Sequence, residues 1–183
     1  MILQKDSYKG KLLIAKPHVM RDNLFAGAVV YLYEHAEEVV MGLILNKPST
    51  MKVADVQRLR GEHNSGASGH LYKGGPVSEQ SLLLLHSDEW GSTNTLYTSP
   101  GLAVSSDELM LEKMLDNNLP NCWRLMSGMS TWTNRQLHDE IYKHKAWLLV
   151  DVPSEDIFFS YDQEEQWKKS IELASARMID SYF

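Results

Sequence analysis

The chain has 183 residues, 43% hydrophobic and 23% charged, which fits one soluble globular domain (1–183) that closes a core without staples. Its net charge is −6, from 18 Lys plus Arg against 24 Asp plus Glu, which argues against a protein that holds duplex DNA through its bulk field. The single cysteine, Cys122, excludes an intrachain disulfide or a cysteine-based zinc cluster; residues 1–9 lack the apolar core of a leader, and no apolar run approaches the ~20 residues of a membrane span, so a cytoplasmic protein without membrane attachment is expected.

Leu12 to Ala15 reads as a short buried strand closed by Pro17. Ala28 to Tyr33 is β-branched and aromatic, hence a second strand, and Glu34 to Glu38 reads as a turn. Val39 to Leu45 is a third strand, so the two form a hairpin; Gly42 inside it marks a bulge or a close backbone approach. After Asn46-Lys47-Pro48, Ser49 or Thr50 is placed to cap a helix with Val53, Val56 and Leu59 on one side. Residues 61–70, rich in Gly and Ser, read as a surface loop, and Gly74 to Val77 as a turn before the strand Leu82 to His86.

Short strands are expected near Leu96–Thr98 and Leu102–Val104. Ser105 and Glu108 have capping-box spacing ahead of a helix with Leu109, Met110 and Met114 inward. Cys122 to Met126 reads as an apolar strand. Thr133 and Gln136 repeat the capping-box spacing, with Trp132 and Leu137 at the two positions of a hydrophobic staple and Ile141 also inward. Trp147 to Val152 is a further strand, and a last helix over 163–178 carries Trp167, Ile171, Ala174 and Met178 at helical spacing.

Few residues carry recognisable chemistry. Gly74 and Gly75 could offer backbone N–H groups to an anion, or form a tight turn of positive φ stiffened by Pro76; the chain has neither a P-loop nor a dinucleotide fingerprint. His35 and His86 each end an expected strand and could meet as a base or metal pair, or bond loop backbone; no HxxxH spacing supports a metal. No nucleophile elbow is present, and Cys122 reads as inert filler. Asn46 and Lys47 before Pro48 read as a structural corner or as the rim of a polar pocket. Trp132 reads as a staple or, with Gln136, as an exposed partner surface.

Several runs recur in a characteristic order. They are Gly10 with Leu12 to Pro17, then Asp22, Phe25 and Glu34-His35, then Gly42 to Pro48. Gly74 to Val77, Leu85-His86, Gly128 to Trp132, Gln136-Leu137, Glu140-Ile141, Trp147-Leu148 and Trp167 follow. This succession resembles the YqgE/AlgH family. The resemblance implies an α/β (α+β) fold in which a bent, branching mixed β-sheet forms a pseudo-barrel with helices packed outside. It implies no catalytic residue, metal or cofactor, although members carry the label of transcriptional regulator. The chain departs from the family pattern at Met129, Ser130 and Thr131, where Tyr-Ala-Gly is usual, and at His138, where Glu is usual; a function resting on that loop would be altered.

Two functions follow. The first is a non-enzymatic binding or regulatory module acting through a protein partner. The second is a small-molecule- or anion-binding enzyme or sensor, with a site near His35, Asn46, Lys47, Gly74, Gly75, Pro76 and His86. Direct DNA reading is not expected: the helix after Thr133 offers Asn134, Arg135, Gln136, His138 and Lys143, but Asp139 and Glu140 would crowd phosphates.

Overall fold

The computed structural model describes residues 7–152 and 156–180. Among them the elements are β1 (Lys11–Ala15), β2 (Val29–Ala36), β3 (Val39–Ile44), β4 (Pro48–Lys52), α1 (Val53–Leu59), β5 (His70–Lys73), β6 (Val77–Ser87), β7 (Thr95–Ser99) and β8 (Leu102–Ser105). There follow α2 (Glu108–Leu115), β9 (Trp123–Thr133), α3 (Asn134–His138), a π-helical turn (Asp139–Lys143), β10 (Trp147–Asp151), α4 (Asp156–Phe159) and α5 (Gln163–Asp180).

The strands form one curled sheet in the order β10-β1-β2-β3-β9-β6-β8-β7, with β4 and β5 on a branch. Its inner face gathers Leu12, Tyr31, Leu43, Leu85, Val104 and Met126 around Ile157 and Phe158 of α4, which fill the half-barrel. Tyr31 ties the curl together: its ring packs edge-on against Phe158 at 4.9 Å, and its hydroxyl reaches Thr98 Oγ1 and Ser99 Oγ of β7, both at 2.6 Å. Burial pushes that hydroxyl's pKa up. On the outside, α3 and the π turn cover Leu13, Val30, Leu32 and Ile44, while α1 and α2 cover Leu84 and Leu125. Both faces of β1 are thus buried, so it is a continuous apolar run without alternation.

The sheet branches along β9. One edge pairs with β6, from His86↔Trp123 to Val77↔Met129. The other edge pairs first with β5, in parallel, at Tyr72↔Met126 and Lys73↔Ser127, then with β3, antiparallel, from Gly42↔Ser130 to Val39↔Thr133. The handover falls at Gly128, whose φ is +69°. Residues 129–131, read above as a loop, are therefore strand.

Gly74 and Gly75 cross this point. Neither has positive φ among the described residues. Their lack of side chains serves close approach instead: a Cβ on Gly74 would overlap the Gly128 carbonyl, and one on Gly75 would overlap backbone atoms of Met129 and Ser130. The crossing is sewn by Ile44 N–H to Gly74 O and Gly74 N–H to Ser127 O, both 2.9 Å. The same crowding holds for Gly42, where a Cβ would sit 2.6 Å from Val30 Cγ1.

Other expectations change for tertiary reasons. Ser49 and Thr50 do not cap α1; Pro48–Lys52 is a strand drawn into pairing with β5, and Asp55 accepts from the Lys52 N–H at 2.9 Å. Leu59 and Leu109 face solvent rather than the core, at 73% and 40% exposure. The cap of α2 is Asp107, accepting from Met110 N–H at 2.8 Å, while Ser105 is fully buried in β8. Glu34 to Ala36 extend β2, leaving a two-residue turn with Glu37 at φ +53°. Cys122 lies exposed ahead of β9 rather than inside a strand. The deepest stripe of α5 is Gln166, Ser170 and Ala174, flanked by half-buried Trp167 and Ile171; the Met178 side chain lies outside the described residues. The Thr133 cap holds, with Gln136 N–H donating to Thr133 Oγ1 at 3.1 Å.

Gly75→Ala tests the crossing. It is expected to destabilise the protein by about 3 kcal/mol or more, because backbone rather than a pliable side chain must yield. Urea unfolding measures this. Gly61→Ala, whose Cβ would meet nothing within 4 Å, should cost only about 1 kcal/mol for its positive φ.

Candidate functional site

Two of the sheet side's buried polar groups, Asn46 and Arg124, converge on the start of α5. Asn46, only 2% exposed, lies two residues past β3 and accepts from Val29 N–H at 2.9 Å. Its amide donates to Gly27 O and to Gln163 O, both at 2.9 Å, so one side chain joins β2, the loop before it and the first turn of α5. Lys47 Nζ donates to Ala26 O at 2.6 Å, and burial lowers its pKa. Asn46, Lys47 and Pro48 form the structural corner and also line a cavity of 410 Å³ with Gly27, Gln163 and Trp167. Gly74 and Gly75 pack behind the corner, where Lys73 N–H donates to Lys47 O at 2.8 Å; they do not line that cavity. Pro76 is exposed beyond them.

Arg124 was hidden in what the sequence presents as an apolar strand. The residue is almost wholly buried, at 6% exposure. Nη1 donates to Leu45 O at 2.8 Å and Gln166 Oε1 at 2.7 Å, and Nη2 donates to Tyr161 O. The plane stacks on the Tyr72 ring at 4.7 Å. Tyr72 in turn donates to Asp162 Oδ2 at 2.8 Å, and its pKa is pushed up to about 12, chiefly by burial. Gln166 completes the circuit by donating to Ile157 O at 2.8 Å, which fixes α4 in the half-barrel. The only sequence signal was one cation inside a strand of apolar residues.

The two histidines do not meet through any shared partner. His35, half-buried on β2, accepts from Tyr8 N–H at Nδ1, 3.1 Å away. Its Nε2–H donates to Asn134 Oδ1 at 2.6 Å, an orientation set by Asn134 Nδ2 donating to Glu37 O. His86 is fully buried on β6, with Nδ1–H donating to Ser87 O and Nε2 accepting from Ser105 Oγ, both at 2.8 Å. The Ser105–His86 spacing is that of a nucleophile and its base, but both residues have 0% exposure, so the pair meets no solvent.

Trp132 is 5% exposed and therefore offers no partner surface. Its indole N–H and that of Trp147 both donate to Glu140 Oε2, at 2.7 and 3.3 Å. Glu140 thus turns inward instead of facing a phosphate. Gln136 is exposed on α3. Among the described residues no group of three or more His, Cys, Asp or Glu is arranged to hold a metal, and no helix is long and apolar enough to cross a membrane.

This curled, branching sheet and its filled half-barrel match known proteins. Residues 12–178 fit the AlgH-like family. The chain belongs to that family. It is 32% identical to a UPF0301 protein of Francisella philomiragia, covering 97% of this chain and 95% of that one, and 31% identical to one of Francisella tularensis over the same shares. The solution structure of the AlgH protein from Pseudomonas aeruginosa superposes with a TM-score of 0.76 at 28% identity, covering 93% of this chain and 92% of that one. A Corynebacterium diphtheriae crystal structure shares the fold, with a TM-score of 0.69 at 22% identity over 93% and 88% of the two chains.

Burial lowers the His86 pKa below 6.5. Between that lowered value and 6.5 the unfolded chain takes up a proton that the folded chain refuses. Stability is expected to be full above pH 6.5 and to fall as pH drops through this window. Thermal unfolding at pH 7.5 and about 5.5 should show a smaller drop for His86→Gln than for the native chain; equal drops would exclude His86 as the source.

Proposed function

We propose that this AlgH-like protein is a non-enzymatic binding or regulatory module acting through a protein partner in the cytoplasm. The observation that carries the proposal is the surface over α1 and α2. Leu59 and Leu109 stand exposed, and each is the chain neighbour of one member of an ion pair, Arg60 to Glu108 at 3.0 Å, that joins the two helices. Beside the pair lies a groove of 320 Å³ lined by Arg60, Ser81, Leu82, Asp107 and Leu111. Apolar anchors beside charged groups are the anatomy of a protein-binding patch. The polar residues with the types for chemistry support the same reading, because Asn46, His35 and His86 already spend their hydrogen bonds inside the fold.

Any influence on transcription is then indirect. The α3 helix has five residues before the π turn, too short to read several base pairs from a groove, and Arg135 lies 4.0 Å from Asp139.

Crosslinked affinity capture from lysate is expected to return a specific protein that the double variant Leu59→Asp, Leu109→Asp fails to capture. The variant should keep the native Tm within about 2 °C, since both side chains are solvent-facing. Equal capture by the variant would contradict the proposal. So would a sub-micromolar, sequence-dependent duplex complex that Arg135→Ala abolishes.

A further inference from the structure

A second cavity of 410 Å³ lies on the other side of the α5 start, lined by Tyr72, Trp123, Arg124, Phe159, Asp162 and Glu165 among others. Its chemistry is unusual for a packing defect. Arg124 has five N–H donors, and three bonds to the described residues use Nη1 twice and Nη2 once. Nε and one Nη2 hydrogen remain. Every fully buried side-chain nitrogen or oxygen among the described residues is hydrogen-bonded. Among the described residues Nε has no partner, and Arg124 lines the cavity.

An Nε–H and an Nη2–H side by side form the fork that grips a carboxylate with two parallel bonds. A simple anion is a poor fit, because the same wall carries two carboxylates. Asp162 is occupied: its oxygens accept from the Tyr72 hydroxyl at 2.8 Å and from Gln163 N–H at 2.7 Å. Glu165 is exposed at the cavity rim and makes no hydrogen bond to the described residues; Lys169, one turn along α5, feels its charge but does not bond it. Trp123 and Phe159, both half-buried, supply apolar wall. A ligand that satisfies all of these groups carries a carboxylate, an ammonium and an apolar or aromatic body.

We infer that this cavity is a binding site for a free α-amino acid, its carboxylate on the Arg124 fork, its ammonium on Glu165 and its side chain against Trp123 and Phe159. The site is independent of the α1–α2 surface. Binding there also presses on the bonds that hold α5, since Arg124 carries both.

Thermal shift with L-amino acids, one at a time, tests the inference. At roughly five times its Kd, the accepted amino acid should raise Tm by about 2–4 °C. Its amide and its N-acetyl derivative should give no shift, since each removes one charge. Glu165→Gln, at an exposed position, should leave the unliganded Tm unchanged and weaken binding about tenfold in calorimetry, the worth of one charged contact. Arg124→Lys keeps the charge without the fork and should abolish binding. Because Arg124 also supports the fold, the Glu165 variant and the derivatives decide the matter if that protein unfolds. No shift from any amino acid, equal shifts from the amide and N-acetyl forms, or unchanged affinity in Glu165→Gln would overturn the site.

Discussion

A buried guanidinium needs its charge supported inside the protein, and Arg124, a residue only 6% exposed, spends three of its five donors on groups distant in sequence. It binds the end of β3 at Leu45 O, the approach to α5 at Tyr161 O, and α5 itself at Gln166. Through Gln166 it reaches Ile157, and with it the α4 residues that fill the half-barrel. Removal of the guanidinium would leave two carbonyls and an amide oxygen buried without their donors, each costing on the order of 1–3 kcal/mol. The sheet supplies the cavity, α4 fills it, and the arginine holds the filling in place.

The hub is placed by the branch in the sheet. Arg124 lies on β9 opposite Leu85, four residues before Gly128, where the partner strand changes from β5 to β3. Only a backbone without side chains passes that point, so Gly74, Gly75 and Gly128 act together. The crossing sets Tyr72 on β5 beneath the guanidinium, and the corner at Asn46 sets Leu45 O in front of it. Asn46 and Arg124 then grasp the same helix start from two sides, with a cavity beside each.

Local signals made much of this fold legible in the sequence. Apolar runs mark β1 to β3 and the β2–β3 hairpin, and the Thr133 cap with its Trp132–Leu137 staple is readable because all its parts lie within six residues. Long-range pairing was not readable. Pro48–Lys52 has the look of a helix cap until β5 recruits it as a strand. The Gly-Gly pair looks like a turn until a second backbone, 54 residues away at Met129, crosses it. The candidate site was half legible. Asn46 and Lys47 stand out before Pro48 and do line a cavity, whereas Arg124, Tyr72 and Gln166 are not legible, because a buried polar residue among apolar neighbours gives no periodic signal. His35 and His86 attracted attention by type, and the structure spends both on backbone and side-chain bonds within the fold.

In this chain the polar groups around Asn46 and Arg124 thus share one task, the docking of the C-terminal helices. Amide hydrogen exchange in Arg124→Met measures that task most directly. Loss of protection confined to α5 and to Ile157 and Phe158, with β3, β6 and β9 still protected, is the predicted result. Unchanged protection of α5, or an even loss across α5 and the sheet alike, would contradict a helix whose docking depends on Arg124.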